Sequence, residues 1–326
     1  SFIASFSLSV FVLPHEEKSF VSWMRSTNQF FTGNDYQLRF GIYMSNARLV
    51  QEHNAHKSFK LSLNKFAAYT PAEYSALLGF RQEHSEKSSP SSPINTAVTG
   101  DEEVDWRKKN VVEPIRDQGQ CGSCWAFSAI QGCESAFAIT TNTLLKFSEQ
   151  NLVDCVTKCN GCNGGLMTTA IDYVIRMQNG MFSAETDYPY KAVAGKCKFT
   201  YAPPIGKVTG YLNVIKYSET DLAMMIAQNG PACVAIDASH YTFQLYSYGI
   251  YDEKSCSSTS LDHGVGCVGY GTYDDVAYWI VRNSWGESWG EDGYIRMIKD
   301  KNNQCGIATM AIIPKRSEEH TSELQS

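Results

Sequence analysis

Residues 118–128 read Q-G-Q-C-G-S-C-W-A-F-S, and the reading of the whole chain turns on them. A glycine-containing turn leads into small and aromatic residues that predict a helix beginning at Cys124. The first N–H groups of a helix have no partner inside it, and the positive end of its dipole favours an anion. A thiol placed there is eased towards thiolate, the form that attacks carbon. Gln118 stands six residues before that sulfur.

The 326 residues are enough for one large or two modest domains with a substantial core. Charged residues make up 19% and the formal net charge is -6, so neither composition nor sign points to nucleic acid or to an anionic membrane surface. Eleven cysteines, spread over the later two-thirds, indicate an oxidising compartment and a disulfide framework. The odd number leaves at least one thiol unpaired, and a nucleophile accounts for it.

The apolar run at 2–13 has the length of a signal-peptide core and is too short to span a bilayer. Residues 1–13 are therefore read as the remnant of a secretory signal, the alternative being a buried element. The polar end at 316–326, R-S-E-E-H-T-S-E-L-Q-S, matches the translation of a sequencing-library adapter and is set aside as an artefact, His320 included. No N-x-[ST] sequon is present, so nothing supports N-glycan-dependent sorting.

Helical periodicity appears at 16–26 and 35–54, with Phe40, Tyr43, Ala47 and Val50 on one stripe. A Ser- and Pro-bearing polar stretch at 81–99 reads as an exposed, cleavable linker between a first unit at 15–80 and a second at 100–315. In the second unit, helices are expected at 124–138, at 148–155 with Ser148 as N-cap, and at 166–178. From about residue 208 the character changes to short β-branched and aromatic runs at 233–236, 265–270, 278–282 and 294–298. An α+β unit with a helical half facing a β half offers a cleft between them.

A cysteine nucleophile needs a base. Within the second unit only His240 and His263 remain as candidates. His263, in D-H-G-V-G-C-V-G, opens a predicted strand where glycines leave its ring room; His240 reads as a surface or packing residue. Asn283, in V-R-N-S-W-G, is placed to fix the imidazole, with Trp285 as a cover against water. The pairs Cys121/Cys124 and Cys159/Cys162 also admit a redox couple or a zinc site, but no strand-first redox context precedes them and their separation exceeds zinc-ribbon spacing.

Taken together, these motifs resemble the papain family of cysteine proteases, in its cathepsin L-like group and with an inhibitory prodomain. C-G-S-C-W with a distant His and Asn is that family's known signature. Four further motifs follow in the family's order: G-C-N-G-G-L-M at 161–167, D-H-G at 262–264, N-S-W-G at 283–286 and C-G-I-A at 305–308. The resemblance implies a helical left half and an antiparallel β-barrel right half with the active-site cleft between them. It also implies an endopeptidase acting without cofactor or metal. Cys124 is its nucleophile, His263 the ion-pair partner, Asn283 the group that orients His263, and Gln118, with the Cys124 N–H, the donor to the oxyanion.

The family pattern further implies bridges Cys121–Cys162, Cys155–Cys197 and Cys256–Cys305. For the remaining thiols a fourth bridge, Cys133–Cys159, is expected, with Cys233 and Cys267 buried as small apolar residues. Leu166, Met167, Ala235, Leu261 and Met310 would line the pocket for the side chain two before the scissile bond. Gly165 would pair with the substrate backbone as a strand does, and Asp262 and Trp285 would flank the cleft. An all-apolar lining favours Leu, Phe or Val there and disfavours Arg.

In the first unit, Asp35, Arg39, Ile42, Tyr43, Asn46, Val50 and Asn54 follow the prodomain's long-helix pattern, with Asp, Tyr and Val as mild replacements. The next motif, normally G-x-N-x-F-x-D, appears as Ser62, Asn64, Phe66 and Ala68. Loss of its carboxylate predicts a weaker pH dependence of self-processing. The partners implied are polypeptide substrates, the chain's own prodomain and cystatin-type inhibitors, for a monomeric mature enzyme in a lysosome-like compartment or outside the cell. The rival classes are a catalytically silent, protease-like binding protein, which would lack one of the catalytic residues, and a disulfide-rich structural protein, which would not explain where His263 and Asn283 fall.

Overall fold

The structure is a computed structural model that describes residues 14–81, 103–199 and 204–315. The signal remnant at 1–13, the linker from residue 82 on, the mature start near Gly100 and the tail at 316–326 lie outside the described residues.

The first unit opens with helices α1 (Pro14–Ser26) and α2 (Gly33–His56). The ring of Phe20, fully buried, meets those of Trp23, Phe40 and Tyr43 at centroid distances of 5.6, 5.4 and 5.2 Å. This aromatic cluster gives the first unit its own apolar centre. Strand β1 (Lys60–Leu61) and helix α3 (Pro71–Leu77) follow. α3 starts at Thr70 because a capping box closes there: the Thr70 side chain accepts from the Glu73 N–H, and the Glu73 carboxylate accepts from the Thr70 N–H.

In the second unit, β2 (Val104–Asp105) precedes the long helix α4 (Cys124–Thr141). From Cys124 to Ala138 almost every residue of α4 is buried, its polar Ser128, Gln131, Glu134 and Ser135 included, and each of these four bonds to a group elsewhere in the chain. Helix α5 (Glu149–Cys155) is capped by Ser148, which accepts from Asn151 N at 3.0 Å, and α6 (Met167–Met177) buries Met167, Ala170, Ile171 and Val174 along one face.

The second half carries β3 (Gly210–Asn213), α7 (Glu219–Asn229), β4 (Ala232–Ile236), the short helix α8 (Tyr241–Gln244), β5 (Tyr246–Tyr248) and β6 (Ile250–Tyr251). It ends with β7 (His263–Tyr273), β8 (Val276–Arg282), β9 (Tyr294–Ile298) and β10 (Ala311–Lys315). The strands run β3-β10-β4-β7-β8-β9-β6, with β2 paired to β7. The expected barrel is thus an open sheet among the described residues, since its end strands β3 and β6 do not pair with each other, and β6 and β9 lie parallel. Helix α7, unexpected among the strands, is buried through Leu222, Met225 and Ile226.

Bridges Cys121–Cys162, Cys155–Cys197 and Cys256–Cys305 are formed. The expected Cys133–Cys159 bridge is not. Cys133 sits within α4, buried beside Cys233 of β4, whereas the Cys159 sulfur lies against Gly165 next to the Trp125 ring. The two sulfurs are held in different surroundings by elements that already have their packing partners. Cys233 and Cys267 are buried as expected, the former with its sulfur 3.0 Å from the Ser128 carbonyl oxygen.

Candidate active site

The site forms where the first turn of α4 meets the ends of two paired strands. Cys124 is the first residue of α4, and the Ser123 side chain leaves the helix N-terminus uncapped. His263 opens β7 and Asn283 follows β8, so the pairing of those strands brings them together. His263 Nε2 donates to Asn283 Oδ1 at 2.8 Å, and the Ser284 N–H donates to the same oxygen at 2.8 Å. With its proton on Nε2, the imidazole presents an unprotonated Nδ1, which is buried and has no hydrogen-bond partner in the protein. Nδ1 is the atom left to take a proton.

Trp285 stacks over this pair. Its ring lies 4.8 Å from that of His263 and is itself closed in by Phe243 and Trp289 at 5.6 and 5.2 Å. Gln118 is fully buried: its N–H donates to Ser284 O at 2.8 Å, its Oε1 accepts from Ser284 Oγ at 2.7 Å, and its Nε2 donates to Cys121 O at 2.8 Å.

The segment that follows α3 lies along the cleft, and its backbone meets Gln118, Cys124, Asp262 and Gly165 in turn. The Leu77 carbonyl accepts from Gln118 Nε2 at 2.9 Å, the Gly79 N–H points at Cys124 Sγ at 3.2 Å, and the Phe80 N–H donates to Asp262 O at 2.9 Å. Gly165 exchanges hydrogen bonds with Gly79 O and Arg81 N at 2.9 and 3.1 Å, in a parallel bridge centred on Phe80. The sulfur therefore faces an amide N–H instead of a carbonyl carbon, and the segment is held without presenting an electrophile.

Phe80, almost fully buried, belongs to the same apolar cluster as Met167, Ala235 and Leu261, with Leu166 and Met310 packed at its margin. All five residues expected to line a pocket thus belong to, or pack against, the apolar cluster that holds Phe80. Gly165 tolerates no substituent: a Cβ there would lie 2.7 Å from Cys159 Sγ and from the Trp125 ring.

Burial sets the charge state of this closed form. It pushes the Cys124 thiol up to about 11, against the pull of the Gly264 and Gly79 N–H groups, and lowers His263 to about 4, against its bond to Asn283. With the prodomain seated, burial thus favours the neutral form of both groups. Asp262, mainly through burial, is raised to about 6.

The other histidine of the peptidase unit, His240, lies 3.3 Å from Asp237 and near Cys256, but Cys256 is bridged to Cys305 and has no thiolate to offer a metal. Sequence reasoning missed the plug residues Leu77, Gly79 and Phe80, the double role of Ser284, and Tyr190, whose hydroxyl bonds both Gln118 O and Ser123 Oγ. Nothing local marks any of them, because their partners are distant in the chain.

Sequence and structure comparisons agree with this geometry. The papain family cysteine protease profile matches residues 100–315, and the cathepsin propeptide inhibitor domain profile matches residues 20–74. Procathepsin L of Rattus norvegicus is 41% identical over 306 residues, covering 90% of each chain, and cysteine proteinase 3 of Dictyostelium discoideum is 41% identical over 316 residues, covering 94% of this chain and 93% of its own. The solved digestive procathepsin L2 proteinase from Tenebrio molitor larval midgut superposes with a TM-score of 0.86 at 33% identity, over 92% of this chain and all of that one. A buried Cys–His–Asn constellation with a prodomain threaded across it, and relatives of this kind over nearly its whole length, place the chain in the papain family of cysteine proteases, as a cathepsin L-like zymogen.

Proposed function

We propose that the chain is the zymogen of an endopeptidase that cuts peptide bonds through a thioester on Cys124. His263 Nδ1 takes the thiol proton as sulfur attacks the carbonyl carbon, and returns it to the leaving amine. Water then hydrolyses the acyl-enzyme with the same nitrogen as base. Asn283 fixes the ring by accepting from Nε2. Gln118 Nε2 and the Cys124 N–H donate to the oxyanion, each worth roughly 3 to 4 kcal/mol of barrier in comparable sites. The observation that carries this reading is that the prodomain spends one backbone group on each of Gln118, Cys124 and Asp262 and two on Gly165.

Departure of the prodomain would rehydrate Cys124 and His263 and bring their proton affinities together, which allows the thiolate and imidazolium to form. Phe80 within the apolar cluster supports a preference for Leu, Phe or Val two residues before the scissile bond, at Leu166, Met167, Ala235, Leu261 and Met310. We assign 15–80 to the prodomain, 81–99 to the activation linker and 100–315 to the peptidase. The three bridges suit the secretory route, to a lysosome-like compartment or the exterior. No helix among the described residues is long and apolar enough to cross a membrane. Cystatin-type inhibitors and a monomeric mature state complete the proposal.

Treating the acid-processed protein with an epoxide thiol reagent tests it. One equivalent should attach at Cys124 and abolish turnover of a Leu-Arg fluorogenic peptide, with Arg-Arg a poor substrate. Labelling elsewhere, or equal rates on both peptides, would contradict the site or the pocket respectively. A silent binding protein would bind peptides without turning them over.

A further inference from the structure

We propose that Tyr190 is a positioning residue for the oxyanion hole. The proposal rests on the assignment of Gln118 and the Cys124 N–H as its donors. Those donors sit at the two ends of one loop, 118–124, that turns through Gly119 at a φ of 58° and approaches the Cys162 carbonyl so closely at Gly122 that a Cβ would lie 2.5 Å from its oxygen. The middle of this loop is pinned by the Cys121–Cys162 bridge and by the Gly122 N–H bond to Cys162 O at 2.8 Å, neither of which links Gln118 directly to the start of α4.

Tyr190 spans that distance. Its Oη donates to the Gln118 carbonyl oxygen at 2.8 Å and lies 2.6 Å from Ser123 Oγ. Since the phenol's one hydrogen goes to Gln118, Ser123 is the donor in the second bond, and the order is Ser123 to Tyr190 to Gln118. The phenol ring is held edge-on against Phe127, one turn into α4, at 4.9 Å. The brace is therefore referred to the same helix that carries Cys124. Burial raises the proton affinity of the hydroxyl above that of a free phenol, so it stays a donor at neutral pH. From the other side Ser284 Oγ holds Gln118 Oε1, which leaves Nε2 aimed at the cleft.

The hydroxyl touches neither the cleft segment nor the sulfur. Its effect is to keep two donors at one separation, and a group of this kind acts on the transition state more than on the bound substrate.

Tyr190→Phe in the self-processed enzyme tests this, because the ring stays against Phe127 and only the hydroxyl is lost. We expect kcat to fall about tenfold with KM changed by less than about twofold. In a Gln118→Ala background, which should itself lower kcat about 10²- to 10³-fold, the same substitution should cost less than about twofold, since the hole it positions is already gone. Tyr188→Phe serves as the control: it removes a hydroxyl bonded to Asp154 at 2.8 Å, away from the loop, and should leave kcat in place. An unchanged kcat in Tyr190→Phe, an equal loss in the Gln118→Ala background, or an equal loss in Tyr188→Phe would overturn the proposal. A Gln118→Ala enzyme with full kcat would instead remove the oxyanion assignment beneath it.

Discussion

Gln118 and Cys124 each meet the prodomain through one backbone group and Gly165 through two, and Gly79 is the residue that lets the chain come close enough. A Cβ at Gly79 would lie 1.8 Å from the Gly122 carbonyl oxygen, a contact no side chain can make, so Gly79→Ala must push the segment away from the sulfur. The intact Gly79→Ala zymogen at neutral pH should react with a small epoxide thiol reagent at Cys124 at least about tenfold faster than the parent zymogen, because exposure of the thiol limits its reaction. An unchanged rate would mean that Gly79 does not seal the site. At this scale the sequence disclosed residue types well: a sulfur at a helix start, an imidazole among glycines and an amide behind it form a pattern that chemistry requires. It did not disclose which imidazole nitrogen carries the proton or that burial opposes charge on the closed dyad. Those properties come from Asn283 Oδ1 and from burial by a segment distant in the chain.

The prodomain helices hold two groups, Glu73 and His53, whose proton affinities are both lowered and whose contributions to docking differ in their dependence on pH. Arg39 of α2 reaches both Glu73 in the first turn of α3 and the Ala68 carbonyl at 2.9 Å, so it joins α2 to α3 through the loop where the family motif has lost its carboxylate. Hydrogen bonds from Arg39 hold the Glu73 carboxyl down to about 2. A lowered carboxylate contributes its stability above its ordinary value and loses it only as pH falls through the lowered one, so this clamp survives at the pH of a mildly acidic compartment. His53, at the end of α2, behaves differently. It is buried, 3.1 Å from Phe59 O and tilted against the Phe59 ring at 4.5 Å, and Phe59 in turn packs on Tyr251 of the peptidase. Lys57, Lys60 and Glu253 are the charged groups facing it, and burial lowers its proton affinity. Docking is then strongest above the ordinary histidine value and weakens as pH falls below it. His53→Gln, which keeps a donor for Phe59 O, should flatten the acid onset of self-processing measured by gel between about pH 7 and 4, while Glu73→Gln should leave the onset pH in place. An onset unmoved by His53→Gln would exclude the imidazole as the trigger. Periodicity and capping located α1, α2, α4, α5, α6 and the main strands, since each buries a regular stripe. They missed α7, whose Ser218 cap lies among short β-branched runs, and α3, whose helix depends on a capping box only seven residues from its end.

The molecule is held as one body by contacts between units that sequence spacing does not reveal. β1 of the prodomain pairs with β5 of the peptidase, Asn64 Nδ2 donates to Gln244 O at 2.8 Å, and Phe66 meets the Trp285 ring at 5.1 Å. Inside the peptidase, Arg116 pairs with Glu134 of α4 at 2.6 Å and with Glu149 of α5, both almost fully buried, while Arg282 of β8 donates to Pro114 O at 2.6 Å beside them. Burial raises Glu134 to about 7 even against the Arg116 charge. Arg116→Ala would leave two buried carboxyls without their cation and should destabilise the mature enzyme by about 3 to 5 kcal/mol in denaturant unfolding; a loss under about 1 kcal/mol would show the cluster to be dispensable. The two-half architecture was legible from the change of pattern near residue 208, whereas the open sheet and the separate surroundings of Cys133 and Cys159 were not, because long-range pairing leaves no local trace. The central claim is that catalysis resides in the Cys124 sulfur. Cys124→Ser, trimmed near residue 100 by an added protease that is then removed, should retain the fold and lose at least about a thousandfold in Leu-Arg peptide turnover. Turnover equal to that of the parent enzyme would contradict it.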